Sequence, residues 1–134
     1  MKIKVIFDTN VLISSTLWDG SVAQKLLFKL IRKDALIYSS IAILSEYQKI
    51  LKRDFGYSDK EISNIMEKVL SFIILVSPKK KVQLVKEDPE DNKIIECAIE
   101  AFSEYVISYD QHLLKIKEYK GIKIIKPEEA LLIF

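Results

Sequence analysis

The chain has few of the residues that staple, chelate or bend a protein. Its 134 residues include one cysteine, Cys97, and one histidine, His112. A single thiol excludes an internal disulfide framework and any zinc site built on cysteines. A single imidazole excludes a multi-histidine metal cage within one chain. Three glycines and three prolines leave little room for long irregular loops, so most of the chain should be regular structure. Long apolar runs are missing too. Phe72 to Val76 is typical of the longest, far short of the ~18 residues that suggest a membrane span. An acid at position 8 interrupts the N-terminal segment before it could act as the apolar core of a signal peptide. The expected location is therefore cytoplasmic. Lysine and arginine total 21 against 19 aspartates and glutamates, a formal charge of +2, too small to diagnose nucleic-acid binding.

Hydrophobic residues make up 49% and charged residues 30%, as in a soluble globular chain. The length suits one domain, residues 1–134, and a chain of this size buries roughly two-thirds of its unfolded surface. Short apolar runs alternate with amphipathic ones. Lys2 to Phe7, Ala35 to Tyr38, Ile74 to Val76, Tyr105 to Ser108 and Ile122 to Ile125 read as strands. Ser21 to Lys33 reads as a helix with Ser21 as its N-cap, and Ile41 to Arg53 as another. Ser58-x-x-Glu61 is a capping box opening a helix to about Phe72. Asp88-Pro89-Glu90-Asp91 reads as a helix start, with Asp88 the N-cap and Pro89 in the first turn. A short helix to about Tyr119 and a last one from Pro127 follow. Trp18 and Asp19 fall in a loop after the first strand. This alternation specifies an α/β fold with a mainly parallel central sheet and helices on both faces, in three layers. Ligands in such folds collect beyond the carboxyl ends of the strands.

Four acids stand where that rule directs attention. Asp8 directly follows the first strand, and Asp110 follows the Tyr105–Ser108 strand. Asp91 shares the inward stripe of Ile94 and Ile95. Glu46 lies between Ile43 and Ile50, at the inner edge of its helix. Each has an ordinary reading: Asp8 as a turn residue with Asn10, Asp91 as a capping acid, Asp110 as a helix N-cap, Glu46 as a surface partner of Lys49. Inward acids need a partner or a metal. Hard divalent ions such as Mg²⁺ or Mn²⁺ take oxygen ligands, and carboxylates around one or two of them form a site for phosphodiester hydrolysis.

Val5-Ile6-Phe7-Asp8-Thr9-Asn10-Val11, Asp88-Pro89-Glu90-Asp91-Asn92 and Ser108-Tyr109-Asp110 with Leu113-Leu114 resemble the PIN-domain nucleases. The nearest group is the prokaryotic family of toxin components of toxin–antitoxin pairs. The resemblance runs in order along essentially the whole chain. It implies a three-layer α/β/α PIN-like fold and a divalent-metal-dependent endoribonuclease acting on single-stranded RNA. It implies Mg²⁺ or Mn²⁺ held by Asp8, Glu46, Asp91 and Asp110, with Asn10 and Ser108 supporting. Tyr109 stands where the family commonly has glycine. A small antitoxin protein and a homodimer are the implied partners. The apolar stripe ending in Phe72-Ile73-Ile74-Leu75, with the Ile41–Arg53 helix, suits a two-fold dimer surface.

Lysine clusters supply candidate phosphate contacts: Lys49 beside Lys52 and Arg53, Lys80 in the Lys79–Lys81 turn, Lys93 beside Asp91, and Lys115 near Asp110. Each is also an ordinary solvated surface. Trp18 either stacks a base or packs against a partner or lid, with packing favoured. His112 either contacts substrate or lies on a helix surface, with the surface favoured, and Cys97 is expected as a small buried filler. Two other classes fit parts of the pattern. One is a PIN-like fold that binds RNA or a partner without catalysis. The other is an aspartate-dependent phosphoryl-transfer protein, against which Asn10 stands where a second aspartate is usual. No Walker-type phosphate loop is present.

Overall fold

The computed structural model describes residues 2–86 and 89–134. Six strands form one sheet: β1 Lys4–Phe7, β2 Leu36–Ser39, β3 Ile73–Leu75, β4 Tyr105–Ile107, β5 Glu118–Tyr119 and β6 Ile122–Ile125. Their order is β3-β2-β1-β4-β6-β5, parallel except for the antiparallel β5–β6 edge. The helices are α1 Thr9–Leu17, α2 Val22–Arg32, α3 Ile41–Arg53, α4 Asp59–Leu70, α5 Asn92–Ala101, α6 Gln111–Leu114 and α7 Pro127–Ile133. The expected α/β architecture with a mainly parallel sheet is the one observed. Among the described residues no helix is long and apolar enough to cross a membrane.

Strand alternation divides the interior in two. Val5, Phe7, Ile37, Ile107 and Ile125 face one core, filled by α1, α2, α3 and α4 through Leu12, Leu26, Leu30, Tyr47 and Val69. Ile6, Val106, Ile122 and Ile124 face the other, filled from α5 by Ile94, Ile95 and Ala98. Cys97 is fully buried there, and burial pushes its thiol up to about 12, as suits an inert filler.

Three local features differ from the sequence reading. Thr9–Leu17 is helix, not loop. Its sequence, TNVLISSTL, is rich in β-branched and hydroxyl residues that disfavour helix in isolation. Packing overrides propensity: Val11, Leu12 and Ile13 are buried, and Ser15 and Thr16 return their hydroxyls to Leu12 O at 3.0 and 2.7 Å. Trp18 caps that helix and is 54% exposed. The short helix after Asp110 stops at Leu114, because Lys117 takes a left-handed conformation (φ 66°). The chain then forms β5 and turns at Lys120 (φ 49°) and Gly121 (φ 84°), and a glycine accepts the second of these without strain. Finally, β3 begins one residue early, with Ile73 opposite Ile37. The N-cap expected at Asp88 lies outside the described residues.

The connections decide where helices begin. A helix that follows a strand of a parallel sheet starts at that strand's carboxyl rim and runs back along the sheet. Ser40 caps α3 in this way, accepting from Ile43 N at 3.3 Å. The cap is buried and sets the α3 entry that carries Glu46. Ser40→Ala is expected to destabilise the fold by about 1 kcal/mol, measured as a lower midpoint in urea unfolding with an unchanged slope.

Candidate metal centre

Phe7 of β1 is in register with Ile107 of β4, and Ile107 with Ile125 of β6. The next residues therefore emerge side by side at the carboxyl rim. This is also where the topology reverses: β1, β2 and β3 run outward in one direction, β4 and β6 in the other. A crevice at such a switch point is where doubly wound sheets bind ligands.

Asp8 projects from this point. It is 7% exposed and caps α1, accepting from Thr9 N at 2.7 Å. Ser108, fully buried after β4, donates its hydroxyl to Asp8 Oδ2 at 2.7 Å. The same Ser108 Oγ accepts from Asp110 N at 2.9 Å. One side chain thus ties two acids that lie far apart in sequence. Asp110 caps α6, its Oδ1 accepting from His112 N at 2.7 Å. Asp91 ends a 3₁₀ turn, Pro89–Asp91, and opens α5 without making a capping bond to it. The reading of Asp91 as a capping acid reaching back to Asp88 lies outside the described residues, while the capping reading of Asp110 is present. Ligand atoms of Asp91, Asp110 and His112 lie within 4.8 Å of one another.

Glu46 approaches from α3. Thr9 Oγ1 donates to its Oε1 at 2.5 Å, and Lys93 Nζ donates to its Oε2 at 3.1 Å. Its partner is thus Lys93, not Lys49. Burial disfavours the Lys93 ammonium, but hydrogen bonds and charge from Glu46 and Glu90 outweigh it and hold its pKa above the lysine norm. Burial is also the main influence on Asp8, raising its pKa. The Ser108 and Thr9 hydrogen bonds oppose this, and the charges of Asp110 and Glu46 add to it.

The remaining candidates scatter. Asn10 is exposed on the first turn of α1; its neighbour Thr9 makes the contact to Glu46. Lys49 lines a recess of about 340 Å³ with Glu46, Arg53, Glu90 and Lys93. Lys80 lines a different recess, of about 420 Å³, with Lys81, Tyr119 and Lys120, and none of the four acids borders it. Lys115 is exposed at the end of α6. Sequence reasoning favoured the helix surface for His112 and did not place it among the metal-ligating groups, and it passed over Thr9, whose signal was a hydroxyl inside the Asp8-Thr9-Asn10 motif.

Oxygen donors dominate this centre, and charge on Asp8 is unfavourable as it stands. A hard divalent cation fits such a donor set, with His112 as the one nitrogen donor nearby. Fold and site thus define a parallel α/β protein with an acidic centre at its topological switch point. The PIN domain family model matches residues 4–112, a span that includes all four acids, and the chain belongs to that family. PIN domains are in general nucleases and generally use divalent metals. The chain is 30% identical over 129 residues to the uncharacterized protein MJ1680 of Methanocaldococcus jannaschii, covering 92% of this chain and 82% of that one. Two solved structures share the fold. One is VapBC2 from Rickettsia felis bound to a DNA fragment from their promoter, with TM-score 0.66 and 16% identity, covering 91% of this chain and 97% of that one. The other is PAE2754 from Pyrobaculum aerophilum, with TM-score 0.55 and 17% identity, covering 98% and 88%.

The raised pKa of Asp8 has a consequence for stability. Between its ordinary value of 3.8 and its higher folded value, the folded state holds the proton more tightly than the unfolded state. Metal-free stability therefore falls as pH rises through that window. Asp8→Asn keeps an oxygen for Ser108, gives up the one that accepts from Thr9 N, and removes the charge. In EDTA its melting temperature relative to the parent is expected to rise as pH increases from 3.8 toward neutrality. Thermal melts followed by circular dichroism test this; a relative melting temperature that falls over that range would refute it.

Proposed function

We propose that this protein is a divalent-metal-dependent endoribonuclease that hydrolyses single-stranded RNA, and that it acts as the toxin of a toxin–antitoxin pair. The observation that carries the reading is the group of Asp91, Asp110 and His112, within 4.8 Å of one another, with Asp8 tied to Asp110 through Ser108 and Glu46 held by Thr9, the residue after Asp8. Asp8, Asp91 and Asp110 would hold Mg²⁺ or Mn²⁺. When bound, such an ion supplies Lewis acidity, favouring a water nucleophile and stabilising charge on the phosphate oxygens.

The chain's own groups do the rest. Ser108 links Asp8 to the backbone of Asp110, donating its one proton to Asp8 and accepting from Asp110 N–H. Thr9 and Lys93 orient Glu46. Water adds to phosphorus, the bond to the 3′ oxygen breaks, and that oxygen takes up a proton. The products are a 5′-phosphate and a 3′-hydroxyl. Lys49 and Arg53, beside Glu46, suit the backbone phosphates of a bound strand, a contact that carries no sequence information. Exposed Ile41, Leu70, Ile74 and Leu75 support a homodimer. The likeness to VapBC2 supports a small antitoxin partner.

Cleavage of a labelled single-stranded RNA tests the reading. EDTA should stop it and Mn²⁺ should restore it. Asp8→Asn should lose about 10³-fold in rate, the scale of several kcal/mol of transition-state stabilisation, while its melting curve shows a folded protein. A parent-like rate in purified Asp8→Asn would end this reading.

Lys49→Ala should act differently. It should weaken RNA binding alike for unrelated sequences and lower the slope of log affinity against log salt by about 1. Filter binding across a salt series reads both effects.

A further inference from the structure

Glu46 differs from Asp8 and Asp110 in that an ammonium already touches its carboxylate. Oε1 receives the Thr9 hydroxyl at 2.5 Å and Oε2 receives the Lys93 ammonium at 3.1 Å. Both oxygens carry a donor from the protein. The Lys93 side chain is 14% exposed, against 37% for Glu46. Its ammonium is held further by Glu90 O at 2.9 Å and Glu90 Oε2 at 3.3 Å. An ammonium has three protons to donate, and here three protein oxygens accept them. A lysine of an ordinary solvated face buries its stem and leaves its head in water. Lys93 instead brings a fixed positive charge into the acidic centre, two residues after Asp91.

We infer that Lys93 is a built-in cation standing where a second divalent ion would otherwise bind. It neutralises Glu46, and the centre takes one ion, through Asp8, Asp91 and Asp110. The inference rests on the metal-dependent reading above. A second ion on Glu46 would have to displace Lys93 from Oε2 or stand next to it, against strong like-charge repulsion. Lys93 is thereby a positioning residue: it holds Glu46 against Thr9, and so beside Asp8, with or without an ion.

Mn²⁺ titration of the full chain, with free ion read by electron paramagnetic resonance, tests this without any activity measurement. The parent should bind one Mn²⁺ tightly. Lys93→Met should bind a second, because Glu46 is released as a ligand. The double variant Lys93→Met with Glu46→Gln should return to one. Lys93→Gln, nearer in polarity, repeats the test if Lys93→Met does not fold. Two ions on the parent, one ion on the folded neutral variants, or two ions persisting in the double variant would each overturn the inference and leave the metal reading standing. No Mn²⁺ on the parent, or binding undiminished in Asp8→Asn, would overturn the metal reading itself.

Discussion

The hydrogen bond from Ser108 to Asp8 is the contact on which the centre depends. It joins the ends of two neighbouring parallel strands, and its geometry follows from the register of Phe7 with Ile107. A hydroxyl has one proton. Ser108 gives it to Asp8 and so can only accept from Asp110 N–H. The position of one acid thereby fixes the backbone that carries another. A buried carboxylate is costly unless hydrogen-bonded, and the bond from Ser108, with that from Thr9 N–H, makes the position of Asp8 tolerable.

Tolerable does not mean relaxed. Asp8 is buried, and Asp110 and Glu46 add their negative charge to its surroundings. The fold limits this cost with its helices. Asp8 caps α1 and Asp91 stands at the start of α5, so two helix N-termini direct partial positive charge toward the acids. α1 starts there because β1 ends at Phe7, whereas α5 begins at Asn92, well after β3 ends at Leu75. The same arrangement that makes a parallel sheet economical to connect also creates a place where carboxylates can gather.

Lys93 enters this balance from α5 and reaches across to α3. Its pairing with Glu46 links two helices that meet at the sheet rim. Glu46 is thereby the most constrained of the acids by side-chain contacts, although it is more exposed than Asp8 or Asp91. Asp91, Asp110 and His112 form the tighter group of possible ligands. The centre has two sides: one where an acid already has its cation, and one where oxygen donors converge.

The sequence by itself determined the periodic parts of the protein. The stripes of α2 to α5, the capping box at Ser58 and Glu61, the strands at Lys4–Phe7 and Tyr105–Ile107, and the strand-end placement of Asp8 and Asp110 were legible because each depends on residues close in the chain. α1 was not, since its hydroxyl-rich segment is helical only because three apolar side chains find the core from it. The partner of Glu46 was not legible either. Lys49 is the neighbour that helical spacing offers, yet Lys93 is the one that packing supplies, from 47 residues away. The gathering of Asp91, Asp110 and His112 and the choice of Thr9 over Asn10 at Glu46 likewise rest on strand register and helix entry. Those relations hold between distant segments, so only the tertiary structure could decide them.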